Sequence, residues 1–572
     1  MKNVLTICPY CGCGCGIYLL IDDGHIVGVT PSENHPVSKG SLCARGWTVY
    51  QFIEHPERIK QPLWRKDNSL LETNWETALN FVADRLQQVA KKYGSKSIGM
   101  VISPKSSNEE VSAAKKFAEE VLQTRNFDSG ARLAMPAYSF SSSANFDDLE
   151  EADLIFVLGS NVTETAPILG KRIMAQAKRG KKLIVIDPRI TAIAKFATIH
   201  LRPKVGSDYI WLSGLLKLLS KKYSLHPRDE KILQKITEQF VKEKTLISEE
   251  DSQQVANLIC EAERTIILFG KGLTQQTDGL KNLKLLQDLL ILLGNGAKIL
   301  PVSNHSNERG VLQHFSQRGQ GDSLSYLEMI SAAEAGNIKA LFLIGENPLL
   351  TLPNTNFVKK ALENLDLLVV QDLFLTETGR MASVVLPNVS FAEKEGTVVN
   401  MESRSQKLQK AIEPLGEAKP DIEIIEMLAK KISIRNPQSA IRNPQSQPLT
   451  INHQLSTDYP FTLSLVSTYP HHFGSETMTM HTNLLRREIP EGFALIHPED
   501  AKELGIKSGW NIRLISSTGE LTVKVLLSET LPQKTIFIPF HFGANLLLNS
   551  NFDPETKIPA YKEGKVRVET IQ

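Results

Sequence analysis

The chain has 572 residues, 41% hydrophobic and 22% charged, with 65 Lys and Arg against 63 Asp and Glu for a formal net charge of +2. A chain this long divides among several hydrophobic cores, so roughly three or four domains are expected. The balanced charge leaves no electrostatic footprint for nucleic acid or an acidic membrane. No apolar run reaches the ~20 residues of a membrane span. The opening MKNVLTICPYCG has no basic n-region, long apolar stretch or twin-arginine pair; no export signal is read, and a cytoplasmic location is expected.

Residues 1–58 form the first expected unit, rich in Cys and Gly, with strand-like runs GIYLLIDDG and HIVGVTPS. Five of the six cysteines lie here: Cys8, Cys11, Cys13, Cys15 and Cys43. Clustered thiols in a large chain read as metal ligands rather than a disulfide framework. Cys8, Cys11 and Cys15 have the spacing C-x2-C-x3-C, and Cys43 follows after 27 residues. Three ligands from a tight loop and a fourth from elsewhere suit a 4Fe-4S cluster. Structural zinc, the competing assignment, usually takes two C-x2-C pairs, whereas here the last cysteine stands alone. Cys13 could replace Cys15 as third ligand; the spacing favours Cys15. Cys260, within ANLICEAERTIILF, reads as a small packed residue.

Residues 59–432 alternate amphipathic helices such as TALNFVADRLQQVAKKYG with short apolar runs: SIGMVIS, LIFVLGS, KLIVIDP, TIILFGKG, ALFLIGENP and LLVVQD. Buried strands between helices predict two doubly wound α/β lobes with parallel sheets. Ligands in such sheets bind beyond the strand C-termini. Residues 433–457 contain IRNPQS twice and are expected to be a disordered linker. Residues 458–572 turn to β, with FTLSLVST, NIRLISSTGELTVKVLLSE and KTIFIPFHF as strands and STGE as a hairpin turn, which predicts a C-terminal β-barrel domain.

The cysteine motif followed by GWTVYQFIEHPERIKQPLWR resembles the start of the molybdopterin oxidoreductase family. Formate dehydrogenase alpha subunits, assimilatory nitrate reductase-type catalytic subunits and the large iron–sulfur subunit of NADH dehydrogenase are similar. The resemblance runs along nearly the whole chain. It implies a molybdopterin guanine dinucleotide bound by Gly159 and Asn161 after LIFVLGS, Asp187-Pro188-Arg189 after KLIVIDP, Gly206 and Asp208, and Gly345 and Asn347 of GENP. It adds Asn400 in GTVVNMESRSQ, Asn545 in FGANLLLN, and Arg45, which stands where many relatives carry a lysine between cluster and pterin. Alone, each motif reads as a turn glycine, a helix cap or a surface arginine. The physics fits nonetheless: strand-end Gly and Asn bring N–H groups to pyrophosphate, and Arg189 could pair with phosphate.

The resemblance also exposes departures. In GARLAMPAYSF, Ala134 stands where relatives carry the Cys or selenocysteine ligand of molybdenum or tungsten, and Met135 stands where formate dehydrogenases carry His. Ser303 replaces the arginine that would pair with formate. The catalytic positions are therefore degenerate, and a Mo or W site with a protein thiolate is not expected. Ser139, Ser141, Ser142 and Ser143 lie too far along the chain to substitute. Arg309 is the neighbouring cation that could stand in for the arginine. The expected function is an iron–sulfur oxidoreductase subunit passing electrons through one cluster to an iron–sulfur or flavin partner subunit. The alternatives are an active molybdenum or tungsten formate dehydrogenase-like enzyme, and a non-redox pterin-binding or assembly protein. His471, His472, His481 and His541 are read as structural or nucleotide-contacting.

Overall fold

The structure, a computed structural model, describes residues 1–223, 237–315, 323–432, 459–466, 477–540 and 542–571. The linker expected at 433–457, and His471, His472 and His541, lie outside them. No helix among the described residues is long and apolar enough to cross a membrane.

The N-terminal unit is an antiparallel sheet of Lys2–Ile7, Gly16–Asp22 and His25–Pro31. The last two are the strands expected from sequence; Lys2–Ile7 is an additional one. Its pairing of Ile7 with Gly16 places the whole CPYCGCGC segment at the tip of a hairpin. The Cys8 N–H donates to the Cys15 carbonyl at 2.9 Å and closes that loop. Ile17, Leu19 and Ile21 alternate inward along the middle strand, which fixes the register against the core.

Two α/β lobes follow, one inserted in the other. The inserted lobe has an all-parallel sheet in the order Ile199–Leu201, Lys182–Ile186, Leu154–Leu158, Thr265–Phe269, Ala297–Pro301. Strand order reverses between Leu154–Leu158 and Thr265–Phe269. The outer lobe places Ile98–Ile102, Phe127–Ser129, Ala340–Ile344, Leu367–Asp372 and Val384–Pro387 in parallel, and the reversal falls between Ile98–Ile102 and Ala340–Ile344. An antiparallel pair, Leu63–Lys66 and Ser69–Glu72, extends its edge. The central strands are buried on both faces, which is why they read as unbroken apolar runs. Helix Trp75–Tyr93 covers the outer sheet with Leu79, Val82, Leu86 and Val89; Asn74 caps its start and Gly94, at φ +84°, ends it.

The C-terminal unit is a closed barrel in the order Phe461–Val466, Thr535–Pro539, Phe493–Ile496, Glu520–Leu527, Asn511–Ile515, Gly564–Thr570. Closure removes unpaired edges. The expected hairpin is present, with Ile515 opposite Glu520. The barrel packs on both lobes: the Tyr561 hydroxyl donates to the Thr351 carbonyl at 2.5 Å, and the Thr277 N–H donates to Glu563 at 2.8 Å.

Candidate cofactor site

Cys8, Cys11, Cys13 and Cys15 are all buried, and Cys43 is partly exposed at the start of the short helix Ala44–Trp47. The loop is clamped from outside by the turn between strands Gly396–Val399 and Ser405–Leu408. Asn400 Nδ2 donates to the Cys13 carbonyl at 3.0 Å, Gln406 Nε2 to the Gly14 carbonyl at 2.8 Å, and the Met401 N–H to the Gly12 carbonyl at 2.8 Å. Gly14 has φ +70°, and a Cβ there would lie 2.1 Å from Gln406 Oε1. The loop glycines thus serve both conformation and close approach.

Cys15 lies near Cys13 and within the electrostatic reach of Cys11, Cys8 and Cys43. Cys13 lies between Cys11 and Cys15, with the Leu169 N–H also near it. Burial, with Cys43 and Cys11 beside it, pushes the Cys8 thiol well up. At Cys15 the Cys13 hydrogen bond lowers the pKa, but burial and the other cysteines outweigh it and leave it at about 11. Among the described residues no three cysteine sulfurs fall within 4.8 Å of one another. Thiolates on one tetrahedral zinc, with bonds of ~2.3 Å, would sit roughly 3.8 Å apart. No three of these sulfurs are gathered as closely as a single tetrahedral ion requires.

Arg45 is fully buried beside these cysteines. Burial disfavours its charge, yet Cys43 and Cys11 outweigh that and hold it cationic. Its Nη2 donates to the carbonyls of Glu164 at 2.8 Å and Thr165 at 3.3 Å. Thr165 lines the first of two clefts, so Arg45 stands between the cysteine pocket and that cleft.

The first cleft, about 720 Å³ with its open mouth, lies at the strand reversal of the inserted lobe. Gly159, Asn161, Asp187, Pro188, Arg189, Gly206 and Asp208 all line it, as expected from sequence. Arg189 is held at 3.6 Å from Asp187 and lies over the Phe537 ring. The second cleft, about 700 Å³, lies at the corresponding reversal of the outer lobe and is lined by Gly345 and Asn347. Both sit beyond strand C-termini at a topological switch point. Lys271 lines both and marks where they meet.

Charge in the clefts is heavily desolvated. Burial lowers Lys105 and Lys271 to about 8; burial and the fields of Arg189 and Lys271 lower Lys562 to about 7. Burial raises Glu346 to about 8 and Asp208 to about 6, and lowers His305 to about 4. Amines in this state gain from an anion that restores their charged form, which fits the phosphates of a dinucleotide. Sequence reasoning missed Lys105, Lys271, Lys562 and His305. Isolated lysines carry no motif, and only folding gathers them. The one available signal was position: Lys105 and Lys271 each closely follow a central strand.

Asn545 does not line either cleft. Its Nδ2 donates to the Leu349 and Leu352 carbonyls at 2.8 Å each, tying the barrel to the outer lobe. Asn400 serves the cysteine loop, as described above. Ala134 is 1% exposed, and its carbonyl accepts from Thr274 Oγ1 at 2.6 Å. Thr274 belongs to the helix Lys271–Thr274, and Leu133 lines the second cleft, so Ala134 lies close to the junction of the clefts. Its methyl group cannot ligate a metal. Ser139, Ser141 and Ser143 are exposed, and Ser141 bonds to Gln287 at the surface. Ser303 packs against the cysteine loop, its carbonyl accepting the Gly12 N–H at 3.2 Å. Arg309 reaches toward the Met401 carbonyl and lines neither cleft. The residues present therefore fit a cluster and a dinucleotide, but supply no thiolate to a pterin-bound metal.

Comparison with known proteins agrees with this layout. The Molybdopterin oxidoreductase family model matches residues 58–431, the Molybdopterin oxidoreductase Fe4S4 domain residues 1–55, and the Molydopterin dinucleotide binding domain residues 463–565. The chain is 33% identical to the F420-dependent formate dehydrogenase subunit alpha of Methanocaldococcus jannaschii, covering 100% of both chains. It is 31% identical to the F420-dependent formate dehydrogenase 1 subunit alpha of Methanococcus maripaludis, covering 99% of each. The latter alignment spans 675 positions against 572 residues here, so the relative carries segments this chain lacks. The fold is also that of the acetylene hydratase of Pelobacter acetylenicus, with a TM-score of 0.82 at 18% identity over 100% of both chains.

Proposed function

The chain belongs to the molybdopterin oxidoreductase family, and on that premise we propose that it is an electron-transferring subunit whose pterin site lacks the family's usual metal chemistry. Its Fe4S4 and dinucleotide-binding domains assign it a 4Fe-4S cluster and a molybdopterin guanine dinucleotide. Cys8, Cys11, Cys15 and Cys43 hold the cluster in this reading, and Cys13 packs beside it. The cluster supplies one-electron storage. The chain's own residues bury it, orient it through the 396–408 hairpin, and place Arg45 toward the dinucleotide cleft. Lys271, Lys562 and Arg189 neutralise phosphate, while strand-end Gly159 and Gly345 allow backbone to approach it.

One observation carries the reading: Ala134 is buried, clamped by Thr274, close to the junction of the clefts, and offers only a methyl group. Cys43 is the cysteine of the set nearest solvent, and Trp47, on the helix that follows it, is 47% exposed. This edge suits an iron–sulfur or flavin partner, in keeping with relatives that are alpha subunits. A second reading, an active molybdenum or tungsten enzyme of the formate dehydrogenase type, is favoured by the retained lining from Gly159 to Asp208 in the first cleft, which a pure relay would not need.

Elemental and pterin analysis of anaerobically purified protein separates the two. Iron at about four atoms per chain, with molybdenum and tungsten far below one, is expected for the relay. Stoichiometric molybdenum or tungsten overturns it in favour of the enzyme.

A further inference from the structure

His481 was expected to be structural or to contact nucleotide. It lines neither cleft. It lies against the N-terminal unit, where its ligand nitrogen, one from His55 and a carboxylate oxygen of Glu57 all fall within 4.8 Å of one another. This is the one such group of His, Cys, Asp and Glu among the described residues. It joins positions 424 residues apart in the chain.

The His481 ring is firmly placed. It stacks on Phe374 with centroids 3.6 Å apart and an interplanar angle of 10°, and meets His55 edge-on at 5.0 Å. Its Nδ1 faces the Thr477 carbonyl, which can only accept, so Nδ1 carries the proton. In the neutral ring Nε2 then presents a lone pair to Glu57 Oε2, 3.1 Å away. Two acceptors at that distance need something positive between them: a second ring proton or a metal ion. Donors bound to one tetrahedral zinc at ~2.0–2.1 Å sit roughly 3.3 Å apart, close to the gap seen. His55 is half-buried with its ring edge toward His481, and its Nδ1 accepts the Glu57 N–H at 3.2 Å, a contact the ring gives up on turning that nitrogen to the ion. Glu57 is 67% exposed, which leaves an open side for solvent as a further ligand.

We propose that His55, Glu57 and His481 form a site for a borderline divalent transition ion, zinc being its representative, that fastens the 477–488 segment to the cluster-bearing unit. Two imidazoles and one carboxylate are the donor set that zinc-class ions favour over calcium or magnesium. The location gives the ion a purpose. Thr482, next to His481, lies beside Tyr10, which stands between Cys8 and Cys11. The Leu484 N–H also reaches Gln51 Oε1 at 3.4 Å. An ion here would hold the segment that braces the cysteine loop, without touching the clefts.

The test is zinc titration of the full-length, cluster-loaded protein after anaerobic dialysis against chelator, read by competition with a chromophoric zinc indicator and with iron assayed on the same sample. One zinc per chain is expected at micromolar affinity or better. His481→Gln and His55→Gln should each weaken it beyond the ~10–100-fold that loss of an outer-shell partner costs, at unchanged iron content. Glu57→Gln, on an exposed side chain, guards against loss by misfolding and should weaken binding as well. No zinc retained by the parent protein, or equal binding by parent and all three variants, overturns the site and leaves a proton-filled His481–Glu57 ion pair.

Discussion

Arg45 Nη2 donates to the Glu164 carbonyl at 2.8 Å, and with its bond to the Thr165 carbonyl this ties the helix after the last cysteine to the turn bordering the dinucleotide cleft. A buried cation beside the cysteines stabilises the reduced, more negative cluster. Arg45→Met should therefore lower the cluster's reduction potential, by on the order of tens of millivolts, whereas Arg45→Lys should keep most of it. Redox titration followed by electron paramagnetic resonance checks this; an unchanged or raised potential in Arg45→Met would contradict it.

The ligand set makes a second prediction. Cys8→Ser and Cys43→Ser should abolish or degrade the cluster signal, while Cys13→Ala should keep about four irons per chain. Loss of iron in Cys13→Ala with retention in Cys15→Ala would exchange the roles of these two residues.

Ala134 offers a gain-of-function test. In the proposed reading Ala134 stands where relatives carry the metal-binding cysteine, so Ala134→Cys should raise the molybdenum or tungsten retained by protein that holds pterin. Metal analysis before and after the substitution, at equal pterin content, reads the effect. No increase would mean that the junction of the clefts cannot admit the metal.

The clefts should take up protons on binding anions. Lys105 and Lys271 titrate at about 8 and Lys562 at about 7, so near pH 8 much of this amine is neutral. A phosphate favours the ammonium form and raises these values, so binding consumes protons and weakens as pH rises from 7 to 9. Calorimetry of a guanine nucleotide in buffers of different ionisation enthalpy measures the uptake. Proton release would invert the assignment.

The N-terminal unit is anchored by Arg58 and Glu393, both 0% exposed, with Nη2 and Oε2 3.0 Å apart. Glu393 also accepts the N–H groups of Ser390 and Leu415. Arg58→Met would leave a buried carboxylate without its cation and should destabilise the protein by ~3–5 kcal/mol, seen as an earlier unfolding transition. A double change to well-packed apolar residues should cost far less.

The sequence by itself determined the chemistry and the strand ends. Cysteine spacing proposed the cluster ligands, unbroken apolar runs named the central strands, and the Gly, Asn and Asp residues after them line the two clefts. These were legible because ligand spacing and burial on both faces are local constraints. Only the tertiary structure brought Lys105, Lys271 and Lys562 into shared, desolvated space, since a long-range charge cluster leaves no periodic trace. It also gave Asn545 and Asn400 their work as clamps, and carried His481 to His55 and Glu57. Those contacts join residues hundreds of positions apart, and their partners are chosen by how the lobes and barrel pack.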